Sequence, residues 1–229
     1  SSIQCLIKTK LMNHFFCNLN KNNYLNNDTI LSIEWVRLTK GINEDSCIIS
    51  PLSFLKSIIK SAEKNKYIFD FSRQNDVHEF ITFFIDSLHE ELKRKVTINI
   101  TGEIKNNLDK MAFEAMKYWK KYFKNNYSEI IDMFYGQLVS QIMVIENVNI
   151  KSYSYNPINI FSLPIPNSEN VNIYDCFDLF TEDQILDNDN KWKNEEDNKY
   201  YDVIKSLKVW KFPKILIVHL KRFKNNINK

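Results

Sequence analysis

An α+β fold is predicted by a change of hydrophobic period part-way along the chain. Before Asp132, apolar residues return at three- and four-residue spacing, the mark of helices with one buried face. After it, runs rich in Val, Ile, Phe and Tyr are punctuated by Pro157, Pro164, Pro166 and Pro213, as strands are. Helices first and strands later separate the two kinds of element instead of alternating them. The 229 residues suffice for one sizeable core, and 44% hydrophobic and 14% aromatic content belongs to a folded chain. No internal repeat and no second domain is visible.

The elements follow in order. Ile3, Leu6, Ile7, Leu11 and Phe15 predict one helix face. Ser50 is expected to cap a second helix with Pro51 at its first position, followed by a buried stripe of Phe54, Leu55, Ile58, Ile59 and Ala62. Val77, Phe80, Ile81, Phe84, Ile85 and Leu88 predict a third, with Asp76 and Glu79 three apart at its start, where the macrodipole favours negative charge. Leu108, Met111, Ala112, Ala115, Trp119 and Phe123 predict a fourth. Strands are expected over 134–145, 148–155, 158–165, 203–211 and 214–223. A helical patch around Tyr174, Phe177, Leu179 and Phe180 interrupts them.

Composition excludes several classes of function. A net charge of +3 implies no polyanion, and Lys117, Lys120 and Lys121 read as the solvated face of a helix, so no nucleic acid is expected. Three glycines, Gly41, Gly102 and Gly136, leave no phosphate-cradling loop. There is no secretory signal and no apolar run near the roughly 20 residues of a membrane span, so no membrane partner is expected. Cys5, Cys17, Cys47 and Cys176 form no Cys-x-x-Cys pair. Cys5, Cys17 and Cys176 lie in apolar helical patterns, which predicts buried thiols in a reducing, intracellular compartment.

Five segments, in order, add a resemblance. Gln74-Asn75-Asp76-Val77-His78-Glu79-Phe80 resembles the Gln-x-Asp-x-x-Glu-Phe box of the ubiquitin-specific proteases, papain-like cysteine enzymes that remove ubiquitin. Ser1 to Leu6 resembles the tail of that family's Cys box, and Phe134 to Ser140 the strand that opens its fingers. Phe161 to Pro166 resembles the strand that follows, and Val209 to Phe223 the strand pair ahead of the His box. The resemblance implies a helical thumb over about 1–133, β fingers over about 134–210 and the start of a palm over about 211–229. Asn75 stands where the family usually has Gln.

The implied activity is hydrolysis of the bond after ubiquitin's C-terminal Gly by a Cys nucleophile and a His base. By the same resemblance the nucleophile is expected before Ser1 and the His box after Phe223. The chain is therefore read as a fragment from the middle of the enzyme, with neither catalytic residue. Cys5, near a helix start, is the one internal thiol worth weighing as a nucleophile, and the resemblance places the nucleophile upstream of it. His14, His78, His89 and His219 read as structural or surface groups. Asp76, Glu79 and Gln74 are the expected contacts to ubiquitin's arginine-bearing tail, for which the residues alone offer another reading, that Asp76 merely caps its helix. Many relatives carry two Cys-x-x-Cys pairs that bind zinc at the fingertips. The matching stretches here, 144–147 and 194–197, contain no Cys, so no metal is expected and the fingers should hold by apolar packing. A catalytically inactive ubiquitin-binding or scaffolding relative is the alternative. The implied location is cytoplasmic or nuclear.

Overall fold

The computed structural model describes residues 2–19, 30–44, 48–67, 69, 74–146 and 150–223. Ser1, Cys47, Ser72, Arg73, Asn147 and most of the Asn-rich stretch 18–27 lie outside them. The chain forms two compact units, 1–97 with 123–133, and 98–122 with 134–229.

The first unit is helical: α1 (Ser2–Lys8), α2 (Lys10–Cys17), α3 (Ile30–Asn43), α4 (Leu52–Lys64) and α5 (Val77–Leu92), with most of the short α7 described below. The single first helix expected from the sequence is two, broken at Thr9. The Thr9 hydroxyl donates to the Cys5 carbonyl at 3.0 Å, and the Asn13 side-chain amide donates to the Ile7 carbonyl at 2.9 Å, satisfying the end of α1. The break shifts the helical phase: Leu6, Ile7, Met12 and Phe16 are buried, Leu11 is exposed, and Cys5, expected inside, faces out. Cys17 is half-buried, with the Asn13 and Asn43 side chains against its sulfur. Pro51 caps α4 instead of opening it, its carbonyl accepting from the Leu55 amide at 2.9 Å, while Ser50 stays outside. The buried stripe of α4 is Phe54, Ser57, Ile58 and Ala62, with Leu55 and Ile59 displaced outward.

The core is aromatic. Trp35 of α3 meets Phe84 of α5 edge-on at 4.8 Å between centroids, and Phe54 of α4 tilted at 5.6 Å. Phe16 of α2 reaches Trp35 at 6.2 Å. Such pairs add about 0.5–1.5 kcal/mol each beyond area burial. α5 supplies Phe83, Phe84, Ile85 and Leu88, all fully buried, each contributing roughly 1.5–3 kcal/mol.

The second unit contains α6 (Asn107–Phe123, its last residue counted with the first unit) and the strands. α7 (Glu129–Phe134) leads to a four-stranded antiparallel sheet in the order β2-β1-β7-β4: β1 (Gly136–Val144), β2 (Ile150–Ile158), β4 (Gln184–Leu186), β7 (Val203–Lys211). β3 (Ile160–Leu163) pairs in parallel with β8 (Ile217–Leu220). The expected break before Ile158 is absent: β2 runs through Pro157. It tolerates the missing N–H because β2 is the edge of its sheet. α6 lays Ala115 and Tyr118 on Val139, Tyr155 and Trp210, and the Gln137 side-chain amide donates to the Ala115 carbonyl at 3.0 Å. α8 (Ile173–Phe180) begins with a reciprocal cap between Asn172 and Asp175 and buries Cys176 beside Phe161 and Leu163. Phe161 meets the rings of Phe177, Phe180 and Phe212 at 5.8–6.1 Å.

Gly136, the first residue of β1, is pressed against the end of β7. A Cβ there would stand 2.4 Å from the Lys211 carbonyl oxygen and 2.9 Å from Pro213 Cδ. The strands shift register just beyond it, between Gln137 and Leu138. Gly136→Ala is expected to lower stability by roughly 1–3 kcal/mol, read as a lower thermal midpoint, because backbone and proline must both yield. The same change at Gly102 meets no neighbouring atom, so its cost is the backbone strain of φ 123° alone.

Candidate functional site

The Asp76 backbone is extended (φ −66°, ψ 124°), and its Oδ1 accepts from the amides of His78 at 2.7 Å and Glu79 at 3.2 Å. Asp76 is thus the N-cap of α5, and Glu79 occupies the first turn. Both are exposed, as is Gln74 two residues upstream. The structure brings Asp76 and Glu79 into one turn through the Asp76–Glu79 hydrogen bond. Gln74 lies at the extended approach to that turn.

The turn is held from below by aromatic packing. Phe80 lies parallel to Phe84 at 6.1 Å, and Phe69 meets Phe80 and Phe83 at 6.1 and 5.1 Å. Tyr67 stacks on Phe69 at 5.9 Å. Burial raises the Tyr67 phenol above its ordinary pKa, and the carboxylates of Asp86 and Glu79 raise it further. Asp86 and Glu79 thus place negative charge along this side of α5, which suits a cationic ligand.

The other end of α5 carries residues that the sequence reading passed over. The Glu91 carboxylate accepts from the Leu31 and Ser32 amides at 3.0 and 2.7 Å, capping the start of α3 from a different helix. The signal was present: Glu90 and Glu91 are acids at the helix end where the macrodipole disfavours them. Arg94 exchanges backbone hydrogen bonds with Tyr127 at 2.8 and 3.0 Å and forks onto Glu129. His89 Nδ1 lies 2.8 Å from the hydroxyl of fully buried Ser128. With Tyr67 and Asp86 it lines a cavity of about 380 Å³.

His14 shares α2 with Cys17, His78 and His89 lie on α5, and His219 lies on β8, where its Nδ1 is 3.3 Å from Ser162 Oγ. Cys176 is buried among apolar side chains in the other unit from Cys5 and Cys17.

At 192–201 the short strands β5 (Trp192–Lys193) and β6 (Tyr200–Tyr201) form a hairpin. Its turn is closed by polar groups, where the sequence led us to expect apolar packing. Asn194 Oδ1 accepts from the Glu196 amide, Asp197 Oδ1 from the Lys199 amide, and Asp197 Oδ2 from the Tyr201 hydroxyl at 2.6 Å. That hydroxyl holds the Asp197 carboxyl below its ordinary pKa, and Asp197 raises the phenol in return. These oxygens are engaged and no thiolate stands among them, so the turn does not fit a tetrahedral thiolate zinc site.

A family model described as "Ubiquitin carboxyl-terminal hydrolase" matches residues 1–229. The chain belongs to the ubiquitin carboxyl-terminal hydrolase family. Ubiquitin carboxyl-terminal hydrolase 4 of Vanderwaltozyma polyspora is 29% identical over 244 residues, covering 99% of this chain and 28% of that protein. Ubiquitin carboxyl-terminal hydrolase 5 of Saccharomyces cerevisiae is 34% identical over 166 residues, covering 69% of this chain and 20% of that protein. A solved chain of the SAGA DUB module Ubp8/Sgf11/Sus1/Sgf73 bound to monoubiquitin matches with a TM-score of 0.67 at 22% identity. That match covers 99% of this chain and 46% of the other. The mixed helix-and-sheet fold is therefore that of the family. The chain spans about a quarter of the length of the curated relatives it matches. Among the described residues no helix is long and apolar enough to cross a membrane.

Two predictions follow from α5. Asp76→Ala should cost about 1 kcal/mol through the lost cap, whereas Asp76→Ser, which can still accept from the same amides, should cost much less in a denaturant titration. Burial chiefly lowers the His89 pKa, with Lys93 lowering it further against an opposing pull from Glu90. The unfolded chain therefore takes up the proton first. Stability should be fully present above the ordinary imidazole value of about 6.5 and fall as pH drops through the folded-state value. His89→Gln should flatten that part of the melting-temperature profile between pH 7.5 and 5.

Proposed function

We propose that this chain is part of a deubiquitinating cysteine protease, and that Asp76 and Glu79, with Gln74 beside them, receive ubiquitin's C-terminal tail. The single observation that carries the reading is the match of the family model to all 229 residues, which contain both acids on one capped helix turn. Their exposure lets them meet a cationic tail, and the half-buried aromatic rings packed on Phe83 support their turn. Charge-assisted hydrogen bonds to arginine guanidinium groups are the contacts such a pair makes best. The solved relative bound to monoubiquitin supports ubiquitin as the partner.

The subdomains of the reading are a thumb over about 1–133, fingers over about 134–210 and the start of a palm over about 211–229. The protein acts inside the cell, in cytoplasm or nucleus. The nucleophilic Cys and basic His of the whole enzyme lie outside these residues. Supporting this, Cys176 is buried, the Cys17 sulfur is engaged by two asparagines, and His89 and His219 each face a serine hydroxyl. In the reaction the Cys thiolate adds to the carbonyl of ubiquitin's last Gly. His takes the thiol proton and returns it to the leaving amine, and water then releases ubiquitin from the thioester.

The test uses the native full-length protein and a ubiquitin bearing a C-terminal thiol-reactive group. One ubiquitin should be added, on a cysteine outside residues 1–229 as mapped by peptide mass. Modification of Cys5 would overturn the placement of the nucleophile. Absence of any adduct on folded protein would overturn the protease reading in favour of a catalytically inactive ubiquitin binder.

A further inference from the structure

Helix α4 carries more apolar surface than its own unit uses. Beside its buried stripe, Leu52, Leu55 and Ile59 are 64%, 43% and 37% exposed. They fall at i, i+3 and i+7, a second stripe along two turns, about 10 Å of helix. Leu55 also walls a cavity of about 480 Å³ whose other walls are Ile3 of α1, Leu38 and Ile42 of α3, and Ile49. That volume lies within the roughly 300–1,000 Å³ of pockets that take an apolar ligand group. Ile48, beside Ile49, is wholly exposed.

The rim is basic. Lys56 and Lys60 follow Leu52 at four-residue steps on α4, and Lys8 follows Gln4, another residue lining the cavity, on α1. All three lysines are exposed, and among the described residues none stands in an ion pair. Glu63 is the one acid on α4.

We infer that this face of α4 is a docking site for an amphipathic helix of a partner protein with acidic flanks. The apolar stripe and cavity take the helix's aliphatic side chains, and the lysines select and steer its carboxylates. A second copy of this chain is a poor occupant, since a two-fold contact would set the same lysines against one another. A lipid surface is a poor one too, because a concave cavity walled by three elements offers no protruding apolar wedge to insert.

The test is fluorescence anisotropy of the native full-length protein with a labelled synthetic helical peptide, leucines at i, i+3, i+4 and i+7 and glutamates on the flanks. The same peptide with lysines for glutamates is the control, alongside anionic phospholipid vesicles and sedimentation of the protein alone. The acidic peptide should bind, and Leu52→Glu with Leu55→Glu should weaken it roughly tenfold or more. Lys56→Glu with Lys60→Glu should weaken it several-fold and flatten its salt dependence. That charge reversal leaves the core untouched, so it decides the matter even where Leu55→Glu impairs folding. Equal binding of acidic and basic peptides, no binding, vesicle capture abolished by Leu52→Glu, or self-association abolished by it would each overturn the assignment.

Discussion

The helical unit depends on the way α5 is fastened along its whole length. Its first amides are taken by Asp76, its middle is fully buried at Phe83, Phe84, Ile85 and Leu88, and its last turn lends Glu91 to the bare amides of α3. An acid at a helix C-terminus opposes its own dipole by several tenths of a kcal/mol. The Glu91 carboxylate offsets this by satisfying two amides of another helix, each a charge-assisted bond of about 1.5–3 kcal/mol. Ser32, Trp35 and Thr39, on the buried face of α3, each keep a polar atom without a partner among the described residues.

The consequence for function is rigidity at the start of α5. Asp76 and Glu79 stand on a turn whose backbone is fixed by a cap and whose underside is a shelf of Phe69, Phe80 and Phe83. Little backbone entropy then remains to be lost when a ligand docks on the turn. In the second unit, Gly136 does comparable work: contact with Lys211 and Pro213 brings β1 against β7 closely enough to share the core under α6.

Much of this was legible in the sequence because it rests on period and local chemistry. The α5 stripe from Phe84 to Leu88, the cap at Asp76, the long helix ending at Phe123 and the strand 203–211 all follow from residues near one another in the chain, although Val77, expected inside, is exposed and Phe83, outside the expected stripe, is fully buried. What escaped depends on competing local hydrogen bonds or on partners far apart. The break at Thr9 turns on a hydroxyl choosing a backbone acceptor four residues away, and beyond it Leu11 is exposed where Met12 is buried. Pro157 sits within a strand because that strand is an edge, which spacing does not reveal. Of the candidate site, the two acids and their shared turn were readable. The shelf through Tyr67 and Phe69, and the pairing of His89 with Ser128 across 39 residues, were not.

The central claim is that the negative turn at Asp76 and Glu79 grips ubiquitin's cationic tail, over and above its part in starting a helix. It is tested most directly by isothermal titration of ubiquitin into the full-length protein and into a variant carrying Asp76→Ser with Glu79→Gln, which keeps a cap while removing both charges. The account predicts a melting temperature lowered only slightly, roughly tenfold or greater loss of affinity, and a binding constant that no longer falls steeply with salt. Equal affinity and equal salt dependence in the two proteins would leave Asp76 as a helix cap and contradict the claim.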